Sequence, residues 1–60
     1  MEKYYQERFT KKVIKVVEVM ENPRFVKGVQ VRDLFGKVSP DVTVYVYDLD
    51  YYDFLEGGLK

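Results

Sequence analysis

The sequence predicts a small α+β fold: an antiparallel sheet in the order strand, strand, helix, strand, with a short C-terminal turn or helix. Three stretches carry that reading. Val42–Tyr47 alternates valine with Thr43, Tyr45 and Tyr47, the period of two of a β-strand in strongly β-favouring residues. Val13–Met20 is rich in β-branched residues and runs into Asn22-Pro23, a reversal signal. Val31, Leu34, Phe35 and Val38 recur at i, i+3, i+4 and i+7, the stripe of a two-turn helix.

Taken in order, Met1–Arg8 is polar apart from Tyr4 and Tyr5 and reads as a short helical turn or a loose arm. From Phe9 to Met20 two templates compete. Phe9, Val13, Val16, Val17 and Met20 share a helical face, but Ile14 and Val19 leave it. Five of the eight residues in Val13–Met20 are Val or Ile, which as a helix costs roughly 2 kcal/mol relative to alanine. Strand is therefore the preferred reading, and it places apolar groups on both faces, as in a central or interface strand. Pro23 fixes a turn and pushes Asn22 out of the α region. Phe25–Val31 returns as the partner strand, so residues 11–31 form a hairpin in which Gly28 marks a bulge. In the helix over 31–38, Gly36 costs about 1 kcal/mol, so docking on the sheet must stabilise it. Ser39-Pro40-Asp41 stops that helix and turns into the strand over 42–47. Tyr51–Leu55 forms a helical turn ended by Gly57-Gly58, with Leu59 and Lys60 frayed.

Sixty residues make one domain, 1–60, and a chain of this length buries only about 60% of the surface its unfolded form exposes. With no cysteine for disulfides and no Cys or His for a structural zinc, self-association is the expected supplement, so a homo-oligomer is predicted. No run reaches the roughly 18–20 apolar residues of a membrane span, and the N-terminus lacks the apolar stretch of a signal peptide. The expectation is a cytoplasmic protein with no membrane partner. Its net charge of zero hides a split. Residues 1–40 carry Lys3, Arg8, Lys11, Lys12, Lys15, Arg24, Lys27, Arg32 and Lys37 against Glu2, Glu7, Glu18, Glu21 and Asp33, giving +4, whereas residues 41–60 carry Asp41, Asp48, Asp50, Asp53 and Glu56 against Lys60, giving −4. Such a division suits either two surfaces with different partners, two protomers meeting head to tail, or halves that neutralise each other within one fold.

The chemistry on offer is narrow. Without His or Cys the chain lacks the commonest general base and the best nucleophile, and Ser39 has no evident base beside it. No glycine-rich loop opens a helix to cradle phosphate. The expectation is a non-enzymatic protein with no cofactor. Asp48-x-Asp50-x-x-Asp53-x-x-Glu56 offers hard oxygen ligands, but Asp53 and Leu59 stand where a calcium loop needs Gly and Glu, so no metal site is assigned. What the window does present is a mixture of carboxylates and rings. Tyr47, Asp48, Asp50, Tyr51, Tyr52, Asp53, Phe54 and Glu56 are read as a partner-binding patch for a basic protein surface, the rings as anchors and the acids as the complementary charge. The alternative uses the other half: Arg8, Lys11, Lys12, Lys15, Arg24 and Lys27 line a basic hairpin that binds nucleic acid in a small oligomer.

Val17-Glu-Val-Met-Glu-Asn-Pro-Arg-Phe25, Arg32-Asp-Leu34 and Val42-Thr-Val-Tyr-Val46 together resemble the layout of short strand-rich archaeal antitoxins, which implies a strand-turn-strand core followed by a tail that binds the toxin. In type, the small size, absent catalytic groups and acidic aromatic window are similar to orphan inhibitor proteins of phages and mobile elements, some of which imitate nucleic acid to block host enzymes. Either resemblance implies a host or toxin protein as the partner.

Overall fold

The computed structural model describes residues 3–33, 35–38 and 43–57. It overturns the α+β prediction: the chain is an all-antiparallel five-stranded half-barrel in which, among the described residues, a single 3₁₀ turn is helical. The strands are β1 (Tyr4–Glu7), β2 (Val13–Val19), β3 (Phe25–Arg32), β4 (Tyr45–Asp48) and β5 (Tyr52–Phe54), ordered β4-β3-β2-β1-β5. The 3₁₀ turn, Leu49–Tyr51, joins β4 to β5.

That order forces the curl. β4 and β5 are the two margins of the sheet, and in a flat five-stranded sheet they would stand about 19 Å apart. Yet only the 3₁₀ turn separates them in sequence, and the four Cα steps from Asp48 to Tyr52 reach about 14 Å even when extended. The sheet therefore bends until its margins approach at that corner. Across the gap the Tyr47 and Tyr52 rings meet edge to face with centroids 5.8 Å apart.

Two irregularities in the β2–β3 ladder assist the bend. Val16 pairs with Gly28 and Glu18 with Lys27, leaving Val17 as an extra residue, while Val13 pairs with Arg32 and Ile14 with Gln30, leaving Val31 extra on the other strand. Such bulges raise the local twist. Cross-strand partners share a face, so Tyr5, Ile14, Val26 and Tyr47 point to one side, the core side. The fully buried apolar set among the described residues is small: Val13, Ile14 and Val26.

The strand reading of Val13–Val19 and its hairpin with the strand after Pro23 correspond to β2 and β3. The turn between them is held by Asn22, whose carbonyl accepts from Phe25 N–H at 2.9 Å and whose Oδ1 accepts from Arg24 N–H at 3.1 Å. Three other readings need correction. The segment 31–38 is not a helix: β3 runs through Arg32, and the chain then folds tightly, Gly36 N–H donating to the Asp33 carbonyl at 3.0 Å and Val38 bridging back to Arg32. The Asp33 carboxylate accepts from the N–H groups of Phe35 and Lys37, each at 2.9 Å, and Gly36 takes φ +77°. An aspartate competing for backbone donors and a left-handed glycine together defeat a stripe that only spacing supported. Leu34, the stripe's other member, lies outside the described residues. Met1–Arg8 contributes a strand rather than a helical turn or arm, because Tyr4–Glu7 is held between β2 and β5; Met1 and Glu2 lie outside the described residues. Tyr51–Leu55 is likewise no helical turn, since only Tyr51 belongs to the 3₁₀ turn and Tyr52–Phe54 is β5. The last predicted strand begins later and ends later than 42–47, at Tyr45–Asp48, and Val42, Ser39, Pro40 and Asp41 lie outside the described residues, as do Gly58, Leu59 and Lys60.

The β1–β2 connection is shaped by one side chain. The Glu7 carboxylate accepts from the N–H groups of Phe9 at 3.0 Å and Thr10 at 3.2 Å and from the Thr10 hydroxyl. It thereby satisfies donors that a tight turn leaves open. Lys11 closes the turn at φ +65° and donates its N–H to the Glu7 carbonyl at 2.9 Å.

Candidate functional site

The acidic, ring-bearing window spans the corner where the barrel folds over, and the structure divides its residues into two groups. Asp48 belongs to the framework. Its side chain is 22% exposed and takes a two-pronged contact from Arg24, Nε to Oδ1 at 2.9 Å and Nη2 to Oδ2 at 2.8 Å. The same Oδ1 caps the 3₁₀ turn by accepting from Asp50 N–H at 3.0 Å. Arg24 also reaches Asp50 Oδ2 at 3.2 Å, and its backbone carbonyl accepts from Leu49 N–H at 2.8 Å. One arginine after the Asn22-Pro23 turn thus pins β3 to the start of the 3₁₀ turn, with its guanidinium 5.3 Å from the Phe25 ring centre.

The electrostatics agree with this geometry. Hydrogen bonding by Arg24 holds the Asp48 carboxyl below the usual carboxylate range, and Asp48 in turn raises the Arg24 guanidinium. Glu7 is held low as well, first by the Thr10 hydroxyl and then by the Phe9 N–H. Because both folded values are depressed, each carboxylate contributes stability that is present above its unfolded value near pH 4 and is lost as pH falls through the lower folded value. Thermal unfolding followed by circular dichroism should therefore show a midpoint that is flat near neutrality and drops below about pH 4. In Asp48→Asn part of that drop should be missing, the midpoint at neutral pH being already lower.

Tyr47 and Tyr52 are also framework. Both turn to the core side, where they touch each other, and Tyr47 lies 6.4 Å from the Tyr45 ring. Burial first, then Tyr47 and Glu7, raise the Tyr52 hydroxyl above an ordinary tyrosine.

The second group faces water. Tyr51 and Phe54 are 55% and 53% exposed, Phe54 meeting Tyr5 edge to face at 5.4 Å. The Asp50 and Asp53 side chains remain 64% and 63% exposed although each touches an arginine, Asp53 by way of Arg8 Nε at 3.2 Å. Glu56, also exposed, follows in the turn after β5. Of the eight residues the sequence nominated, Asp50, Tyr51, Asp53, Phe54 and Glu56 are exposed around this corner, Phe54 on the Tyr5 face of β5 and Asp53 on the opposite face, while Tyr47, Asp48 and Tyr52 are half-buried and support them. Sequence reasoning missed Arg8 and Arg24 as parts of this corner. The signal was the long-range charge split itself, which here is partly resolved by ion pairs inside one chain.

The basic residues do not gather into one stripe. Arg8 and Arg24 sit at the acidic corner, and Lys11 and Lys12 lie in the β1–β2 connection. Lys15 and Lys27 lie on the outer face, where Lys15 pairs with Val29 and Lys27 with Glu18. Among the described residues no three carboxylates converge as metal ligands would, and no helix is long and apolar enough to cross a membrane. Compared with family models, curated proteins and solved structures, the chain matches none.

Proposed function

We propose that the protein is a non-enzymatic interaction module, of the inhibitor or antitoxin kind, that engages a basic protein surface through Asp50, Tyr51, Asp53, Phe54 and Glu56. The observation that carries this reading is the exposure of two large rings, Tyr51 and Phe54, between carboxylates that also stay in water. A ring of this kind supplies a rigid anchor that loses little conformational entropy on docking, and flanking acids steer a cationic partner toward it. The internal ion pairs do not stand in the way. Exposed pairs of this type are worth about 0–1 kcal/mol, so an arginine or lysine of the partner can displace Arg8 from Asp53 at little cost.

The test separates recognition from folding. The variant Asp50→Lys/Asp53→Lys/Glu56→Lys leaves Asp48 and both core-side tyrosines in place, so its circular dichroism should match the wild type. The partner captured from the native host by the wild type should bind this variant at least about tenfold more weakly, and Tyr51→Ala should weaken binding by about 1–2 kcal/mol. Unchanged affinity in the triple variant overturns the reading.

A further inference from the structure

We infer that β4 pairs with β4 of a second copy of this chain across a two-fold axis near Val46, so that two half-barrels share one continuous sheet. The pairing uses β4 and the 35–38 turn, not the side chains of Asp50, Tyr51, Asp53, Phe54 and Glu56, and the inference does not rest on the reading of those residues.

The backbone supplies the first reason. Leu49 N–H donates to the Arg24 carbonyl, so the Arg24–Leu49 position is a hydrogen-bonded one. In an antiparallel ladder such positions alternate, which makes Val26–Tyr47 and Gly28–Tyr45 bonded and Lys27–Val46 not. The N–H and C=O of Val46 therefore point away from β3, along the open margin of the sheet. β4 is a margin strand, and among the described residues no further strand pairs with it.

The side chains supply the second. Val38 bridges Arg32 on the flank of β3 opposite the one that pairs with β2, so the 35–38 turn continues the same margin. Phe35, Val38, Val44, Tyr45 and Val46 all lie along it, exposed by 78%, 78%, 49%, 52% and 57%. Half of the exposed large apolar residues among those described thus line one edge. Edge strands are ordinarily protected by lysine, proline or a bulge, and none of these occurs between Thr43 and Tyr47.

The choice of a second copy as occupant rests on self-complementarity and need. An antiparallel pairing centred on Val46 sets Val46 against itself, Tyr45 against Tyr47 and Val44 against Asp48, which Arg24 already neutralises, so no like charges meet, whereas the other margin, β5, carries Asp53 and follows Asp50, and a pairing centred on Asp53 would oppose like charges. In two copies together the five side chains hold roughly 1,000 Å² of exposed surface, the scale of a small specific interface. A chain with no cysteine and, among the described residues, three fully buried apolar side chains gains from such cover what its own core does not supply.

Sedimentation equilibrium of the wild type should give a dimer with a micromolar dissociation constant. Val46→Pro removes only the outward N–H and leaves every β3–β4 bond available, a placement proline tolerates on an edge strand; it should sediment as a monomer, or dimerise at least about tenfold more weakly, with unchanged circular dichroism. Val46→Lys, which needs no backbone adjustment, should do the same and keeps the question open to refutation should the proline variant misfold. A wild type that is monomeric up to about 1 mM, or a dimer that survives Val46→Lys intact, overturns the proposal, as does an open-ended assembly in place of a closed pair.

Discussion

Ile14→Ala should leave most molecules unfolded at 25 °C. Ile14 is 1% exposed, and it stands on β2 between Tyr5 of β1 and Gln30 of β3, on the face that also carries Val26. Removing three carbons from a site enclosed on both flanks by hydrogen-bonded strands leaves a hole the ladder cannot collapse around, and such truncations cost about 2–5 kcal/mol. A core of this size rarely supplies more than about 3–5 kcal/mol in total. The loss is therefore comparable to the whole stability of the fold. Urea unfolding followed by circular dichroism at a fixed protein concentration checks it, the concentration being held because self-association adds stability by mass action. Val17→Ala is the matched control: Val17 is the extra residue of the β2 bulge and 58% exposed, so its truncation should change stability by less than about 0.5 kcal/mol. Equal effects at the two positions would place the core elsewhere.

How much of this could be read from the chain depends on where the stabilising information sits. β2 was legible because its β-branched residues disfavour a helix locally, whatever surrounds them, and the Asn22-Pro23 turn is likewise local chemistry. The helix predicted over 31–38 shows the opposite case. The apolar spacing was real, but Asp33 and Gly36 already spelled a tight turn, an aspartate at its first position and a glycine at its fourth, and this signal was outweighed by periodicity. β1 and β5 were not legible at all. Tyr4–Glu7 and Tyr52–Phe54 are four and three residues long, and neither would hold a strand conformation alone. They exist because each satisfies the other's backbone, with β2 completing the set, and pairing across some fifty positions leaves no mark in local composition.

The candidate site was half legible for a related reason. Composition marked the window of acids and rings, and the strand alternation of Tyr52 and Phe54 was present in it. Composition could not tell that Asp48 would be turned toward Arg24, or that Tyr47 and Tyr52 would meet across the barrel opening, since both facts follow from the curl. Once the margins are brought together by the 3₁₀ turn, the eight nominated residues separate into supports and contacts, and only Asp50, Tyr51, Asp53, Phe54 and Glu56 remain as surface.

The curl itself is tested at Gly28. A β-carbon built there would lie 2.7 Å from the Lys15 carbonyl oxygen and 3.6 Å from the Tyr47 ring. Gly28 does not take the left-handed conformation that Gly36 and Gly57 take, so it is required for space and not for its backbone freedom. The space is short because the extra Val17 bends β2 toward β3 at this position. A carbonyl held in a ladder cannot move aside as the end of a flexible side chain would. Gly28→Ala should therefore destabilise by about 2–3 kcal/mol, at the upper end of overpacking costs, even though alanine is the better residue for an unstrained strand by about 0.5–1 kcal/mol. The loss should appear as a lower urea midpoint. Relief should come from a second change that removes the bulge: deleting Val17 straightens β2, withdraws the carbonyl, and should restore part of the stability of Gly28→Ala while lowering that of the wild type. A neutral Gly28→Ala would mean that the two strands do not press together here, and the bend that brings β4 round to β5 would need another cause.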